Sequence, residues 1–192
     1  FGSRRSDRLL TGSDLNSVHI TDLTQPDTQS ANPLAITSAE WASYGRILDK
    51  IDSDYTVAVR GANVNEAQAL SDNARVASIA VADSSASISS TLDALRANAK
   101  VVSITQTGKP VALTLTAAQL DSDAGALAKL QGSYTLNVSG VSAANALALA
   151  RDNAKITSLS VSDTGSSLTS QLADLTALGK KLCQNFAAFL GH

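Results

Sequence analysis

Thr37–Gly61 reads TSAEWASYGRILDKIDSDYTVAVRG, and Thr116–Gly140 reads TAAQLDSDAGALAKLQGSYTLNVSG. The two stretches align without a gap at an offset of 79 residues. Thr37 falls on Thr116, Ala39 on Ala118, Leu48 on Leu127, Tyr55 on Tyr134 and Gly61 on Gly140. The match continues, one residue out of step, through Asp72-Asn73-Ala74 and Asp152-Asn153-Ala154. It then enters VASIAVAD (Val76–Asp83) and ITSLSVSD (Ile156–Asp163). Self-similarity of this length marks a repeat architecture, in which each unit buries its apolar face against its neighbours.

Each long copy divides further. Runs in which β-branched residues alternate with small or polar ones predict strands at Ser17–Thr21, Tyr55–Arg60, Ala77–Ala82, Val102–Gln106, Tyr134–Ser139 and Thr157–Ser162. Alanine- and leucine-rich segments between them carry helical spacing: Ala39–Ile51, Val64–Asn73, Ser89–Asn98, Ala117–Leu130, Ala143–Asn153 and Leu168–Leu178. Thr37 and Thr116 each stand three residues before Glu40 and Gln119, the spacing of a capping box. Gly61 and Gly140 are expected to follow strands and turn the chain with a positive φ. Val76, Ile79 and Val81, like Ile156, Leu159 and Val161, have the L-x-x-L-x-L beat of leucine-rich repeats, although no asparagine ladder is evident. The intervals are long enough for helical crossovers between parallel strands. The expected fold is therefore α/β: a β-α solenoid of stacked strand–helix units with a parallel sheet, leucine-rich-repeat-like in spacing. Residues 33–178 form the array, 1–32 an N-terminal extension or cap, and 179–192 a C-terminal cap helix or tail.

Composition suits that reading and narrows function. The chain of 192 residues is 44% apolar, yet only 4% aromatic. Small apolar side chains fit closely spaced layers better than one large irregular core. Charged residues are 17% and the net charge is −2, with Arg4, Arg5 and Arg8 the one basic cluster. That is too little positive charge to recruit nucleic acid through phosphates. A single cysteine, Cys183, excludes an internal disulfide framework. No run of eighteen apolar residues predicts a membrane span, and no signal peptide is visible. The chain starts at Phe1 and has no methionine, which suggests a processed or excised piece.

The phrases SSASISSTLDALRANAKVVSIT, PVALTLTAAQLDSDAGALAKLQGSYTLNVSGVSAANALALARDNAKITSLSVSDT and SSLTSQLADL resemble the "A-L-T-L-T-A-A-Q" and "DT-x-x-x-[IV]-x-x-x-L-D-A-L" repeats of large secreted bacterial proteins. Such repeats often accompany haemolysin-type calcium-binding and adhesin-like modules. The resemblance covers about residues 33–178. It implies an extracellular or cell-surface setting and a non-catalytic role, and it assigns no site residues. The glycine-rich nonapeptide of calcium-binding modules is missing from the sequence.

Candidate chemistry is sparse. Asp22, Asp83 and Asp163 occupy matching places after strands. Stacked along one edge they would form an acidic row for a hard cation such as calcium; alternatively each accepts backbone amides in a turn or cap. Trp41 and Tyr44 are large side chains in a small-residue array. They are candidate anchors for a protein or glycan partner, or plugs for a terminal unit that no preceding repeat covers. Leu120, standing where the second copy matches Trp41, favours packing. His19, His192 and Cys183 lie too far apart in an elongated array for a joint metal or nucleophilic site. The serine-rich turns Asp83–Ser90 and Asp163–Ser170 carry no G-x-S-x-G elbow, no P-loop or dinucleotide fingerprint exists, and QTGKP (Gln106–Pro110) reads as a turn lengthening one unit. With no cofactor motif in sight, the sequence reads as a non-catalytic interaction or structural module of a secreted or cell-surface bacterial protein. The alternatives are an accessory region of a larger secreted enzyme, or a subunit that assembles itself into a filament or surface layer.

Overall fold

A computed structural model of the chain describes residues 33–50 and 55–179. The expected strand Ser17–Thr21, the extension 1–32, Asp22, both histidines, Cys183 and all of 179–192 except Gly179 lie outside the described residues.

The first copy begins with strand β1 (Leu34–Thr37), helix α1 (Ser38–Leu48) and β2 (Val57–Ala62). It continues with α2 (Val64–Leu70), β3 (Val76–Asp83), α3 (Ser85–Ser90), α4 (Leu92–Ala97) and β4 (Val101–Gln106). The second copy runs β5 (Leu113–Thr116), α5 (Ala117–Ser122), α6 (Ala124–Leu127), a short β6 (Leu130–Gln131) and β7 (Leu136–Val141). Helix α7 (Ala143–Asp152), β8 (Ile156–Val161) and α8 (Gly165–Ser170) follow, and 172–179 is again helical. Among the described residues every strand pairing is parallel. The strands form two sheets, ordered β1-β2-β3-β4-β6 and β5-β7-β8. The protein is thus an α/β chain whose parallel strands alternate with helices.

Several expected elements change. Two four-residue strands, LAIT (β1) and LTLT (β5), precede the capping threonines, and the two-residue β6 pairs with β4. The helix expected over Ser89–Asn98 is two pieces, starts at Ser85 and breaks at Thr91, whose φ of −124° is not helical. Ala117–Leu130 is likewise divided at Asp123, with φ −99°. Six of the eight residues of Asp83–Ser90, read as a turn, are therefore helical: Ser84 caps them, its hydroxyl accepting from the Ser87 amide.

Gly61 and Gly140 lie inside strands rather than after them. Arg60 pairs with Ala80 and Ala62 with Val81, so Gly61 is the extra residue of a bulge, at φ 71°. Gly140 repeats the arrangement between Val138 and Val141, at φ 70°. Both capping boxes form: the Thr37 hydroxyl accepts from the Glu40 amide while Glu40 accepts from the Thr37 amide, and Thr116 and Gln119 do the same. A third, Asn63 with Glu66, begins α2.

Three units return to the sheet through an asparagine corner. The side-chain oxygens of Asn73, Asn98 and Asn153 accept from the amides of Arg75, Lys100 and Lys155, at 3.0, 3.0 and 3.1 Å. These are Asx turns, which asparagine favours because its side chain mimics a backbone carbonyl. Buried Asn98 also donates 3.0 Å to the Ala67 carbonyl, one unit back. The signal N-A-[RK] was present in the sequence three times.

One face of each sheet carries the core. Val57, Val59, Ile79, Val81 and Ile104 point into it, against Ala67, Ile88 and Leu92 from the helices, all at most 1% exposed. The alternate positions are small or hydroxylic. By register Thr37, Arg60, Ala80 and Ser103 lie in one row across the first sheet, and Thr114, Asn137 and Ser158 in one across the second. These residues are half-buried or exposed.

Candidate functional site

Tyr55 and Tyr134 begin the same clamp in both copies. The Tyr55 hydroxyl donates 2.6 Å to the Leu48 carbonyl, and the Arg75 guanidinium lies 4.4 Å from the ring centroid. The Tyr134 hydroxyl donates 3.3 Å to the Leu127 carbonyl, with the Lys155 ammonium 3.7 Å from its ring. Each tyrosine thereby ties the end of a helix to the corner of the next unit, through a hydrogen bond and a cation–π contact.

Asp83 and Asp163 are brought into equivalent sites, and among the described residues they join no acidic row. Asp83 Oδ2 accepts from the Val64 amide at 3.0 Å and Oδ1 from the Ser84 amide at 2.6 Å. Asp163 accepts from the Ala143 and Thr164 amides at 3.0 and 2.8 Å. Val64 and Ala143 open helices α2 and α7, where amides lack intrahelical partners. The carboxylate therefore caps the preceding unit's helix and fastens one unit to the next. Burial opposes ionisation of Asp83, but the two amides and the Ser87 hydroxyl outweigh it and hold the carboxyl below its ordinary value. The Thr164 and Ala143 amides do the same for Asp163. The two lie in different sheets, Asp83 ending β3 and Asp163 following β8. Among the described residues, no group of three or more His, Cys, Asp or Glu side chains could hold a metal ion.

Trp41 and Tyr44 share the outer helix α1. Trp41 is half-buried and packs on the core. Tyr44, three residues on, is 41% exposed.

Where the copies meet, the structure places two features that spacing alone did not disclose. Asp123, fully buried at the break between α5 and α6, lies 3.1 Å from Arg96 Nε of α4. Neither of its oxygens receives a well-aligned hydrogen bond. Burial first, then the neighbouring Asp93 carboxylate, push its carboxyl up, against the pull of Arg96. The second feature is an open cleft of about 660 Å³ between α3, β5 and the turn at 107–112. Ser85, Ser89, Ser90, Thr107, Lys109 and Gln119 supply much of its polar wall. The Ser85 hydroxyl accepts from the Gln106 side-chain amide at 2.8 Å and the Val111 amide at 3.1 Å. With both lone pairs so engaged, its proton is the group left to offer a ligand. The QTGKP insertion makes this cleft, and its effect depends on tertiary placement rather than on residue type.

No known protein family, curated protein or solved structure matches this chain. Among the described residues no helix is long and apolar enough to cross a membrane.

Proposed function

We propose that the chain is a non-catalytic repeat module of a secreted or cell-surface bacterial protein, its strand–helix units stacking as a β-α solenoid that displays a surface to a protein or glycan partner. The observation that carries this reading is the use made of the recurring polar groups. Tyr55 and Tyr134, Asp83 and Asp163, and Asn98 hold units together, while Asn73 and Asn153 shape the corner turns. Chemistry repeated from copy to copy thus serves the stack, as the quasi-one-dimensional logic of repeat proteins requires. The hydroxyl-rich, weakly charged composition and the resemblance to secreted bacterial repeats support the setting.

A partner has access to the uncovered sheet rows and to the serine-lined cleft, whose hydroxyls, amide and single ammonium suit the hydroxyls and carboxylates of a surface polysaccharide. The test is binding of the full chain to an array of bacterial and host surface polysaccharides and matrix proteins. Ser89→Tyr should fill the cleft and Ala80→Glu should charge the sheet face. Loss of about tenfold in affinity from either variant supports a displayed surface. Absence of any bound species, or binding indifferent to both variants, reduces the chain to a spacer and overturns the displayed-surface half of the reading.

A further inference from the structure

The junction between the copies is the template for a second contact. Ile88, Leu92 and Leu95 of the first copy are at most 2% exposed. Their helices contact β5, α5 and α6 of the second. The matching residues at the far end are Leu168, Leu172 and Leu175. Leu172 is 64% exposed and the other two are half-buried. The opposite end shows the other half of the same interface. Leu115, Leu120, Asp123 and Leu127 are at most 9% exposed, whereas the matching Ile36, Trp41, Tyr44 and Leu48 are half-buried or, for Tyr44, 41% exposed. Among the described residues, each end therefore presents one face of a joint already made once inside the chain.

The two open faces differ from the internal ones in compensating ways. On the leading face Trp41, Tyr44 and Ile47 replace the smaller Leu120, Asp123 and Ala126. On the trailing face Gly165, Ala173 and Thr176 replace the larger Ser85, Asp93 and Arg96. Large-for-small on one side meets small-for-large on the other, which preserves packing volume across a joint. The charges change together too: Asp93, Arg96 and Asp123, clustered at the internal joint, become Ala173, Thr176 and Tyr44. An end-to-end joint thus carries no unpaired buried charge, and it seats an aromatic ring over two small side chains. Thr169 also matches Ser89, whose hydroxyl accepts the Thr114 amide at 3.0 Å across the internal joint. The corresponding amide on the leading face is that of Ala35 in β1.

We propose that the chain binds a second copy of itself head to tail, the trailing face at 165–178 of one copy seating on β1 and α1 of the next. This deepens the stacked-unit reading and rests on it. The contact is heterologous, so nothing in it closes at two and it propagates as an open string.

Sedimentation velocity of the full chain over a wide concentration range tests this, with Tyr44→Glu and Leu172→Glu, both exposed positions, and circular dichroism to confirm folding. The wild type should grow with concentration without stopping at a dimer. Each variant alone should remain monomeric, because one of its faces is blocked. An equal mixture should form a dimer and stop, since each variant retains the face the other has lost. A wild type that stays monomeric at the highest concentration overturns the proposal, as do association that both variants leave intact and a mixture of folded variants that fails to pair. Amide exchange at Leu92 separates the two failures. A monomer with Leu92 strongly protected sinks only the self-association, whereas an unprotected Leu92 sinks the stacked-unit reading as well.

Discussion

Leu92 and Leu172 stand at the same place in the two copies, one fully buried and the other 64% exposed. The local sequence around them is alike, TLDAL against QLADL. What differs is the neighbour. The helix that Leu92 opens lies against α5 and α6 of the following copy, and Leu172 closes the described part of the second copy. Burial in this molecule is therefore made jointly by adjacent units, each of which carries half of every apolar joint. The polar fastenings behave differently. The tyrosine clamps and aspartate caps lie within a copy, and they form equally in both.

That contrast can be broken by substitution, and the largest effect should come from the leucines. Leu92→Ala should cost about 3 kcal/mol of unfolding free energy, through lost burial and a residual cavity. Leu172→Ala should cost about 0.5 kcal/mol or less. Equal losses in urea titrations would show that the two sites have the same surroundings. Arg96→Ala should cost about 2 kcal/mol by stranding the Asp123 carboxylate, a partly exposed guanidinium being worth less than a buried one. Thr176→Ala, at the matching position, should change almost nothing.

Within the copies the expectation reverses: paired substitutions should match. Gly61→Ala and Gly140→Ala each force a side chain into φ near 70°, and neither Cβ would meet another atom within 4 Å. Each should cost about 1 kcal/mol from backbone strain alone. Thermal melts giving one large and one negligible shift would show that only one bulge bears on folding.

The smallest effect is a pH difference between the copy junction and the copy interiors. Asp83 and Asp163 have carboxyls held below the ordinary value of about 3.9, so they stabilise the fold above it and lose that contribution as pH falls through their folded values. Asp123 has the opposite sign. Its raised carboxyl stabilises fully below about 3.9, and that contribution disappears as pH rises through the folded value. Wild-type stability measured against Asp123→Asn should therefore improve on mild acidification from neutrality. A flat difference between the two proteins over that range would remove Asp123 as a titrating group.

The parallel strand–helix alternation was legible because period-two and helical patterns recur at a fixed offset, and chance does not copy a capping box, a tyrosine and a bulge glycine together. Strands β1 and β5 were hidden because each lasts four residues before its last threonine also caps a helix, leaving little alternation to read. Helix α3 was hidden by SSASISS, whose serines favour caps and turns when weighed singly; tertiary burial of Ile88 overrides them. Trp41 packs on the core, one of the two roles its size left open. Asp83 and Asp163 cap helices, because a carboxylate after a strand reaches the open amides of the previous helix before it reaches another carboxylate; Asp22 lies outside the described residues. The Asp123–Arg96 pair joins residues from different copies, and repeat spacing is silent about positions where the copies differ.

Thr37 and Thr116 are at once the last residue of a strand and the cap of the helix that follows. The other strand-to-helix passages are one to three residues long, as at Asn63, Ser84, Ser142 and 162–164. Such joints hold no slack. A residue inserted there would rotate the helix off its sheet and misalign everything downstream, so length can change harmlessly only at whole-unit boundaries. The turn at 107–112 sits at one such boundary, and a chain built this way lengthens by duplication rather than by drift.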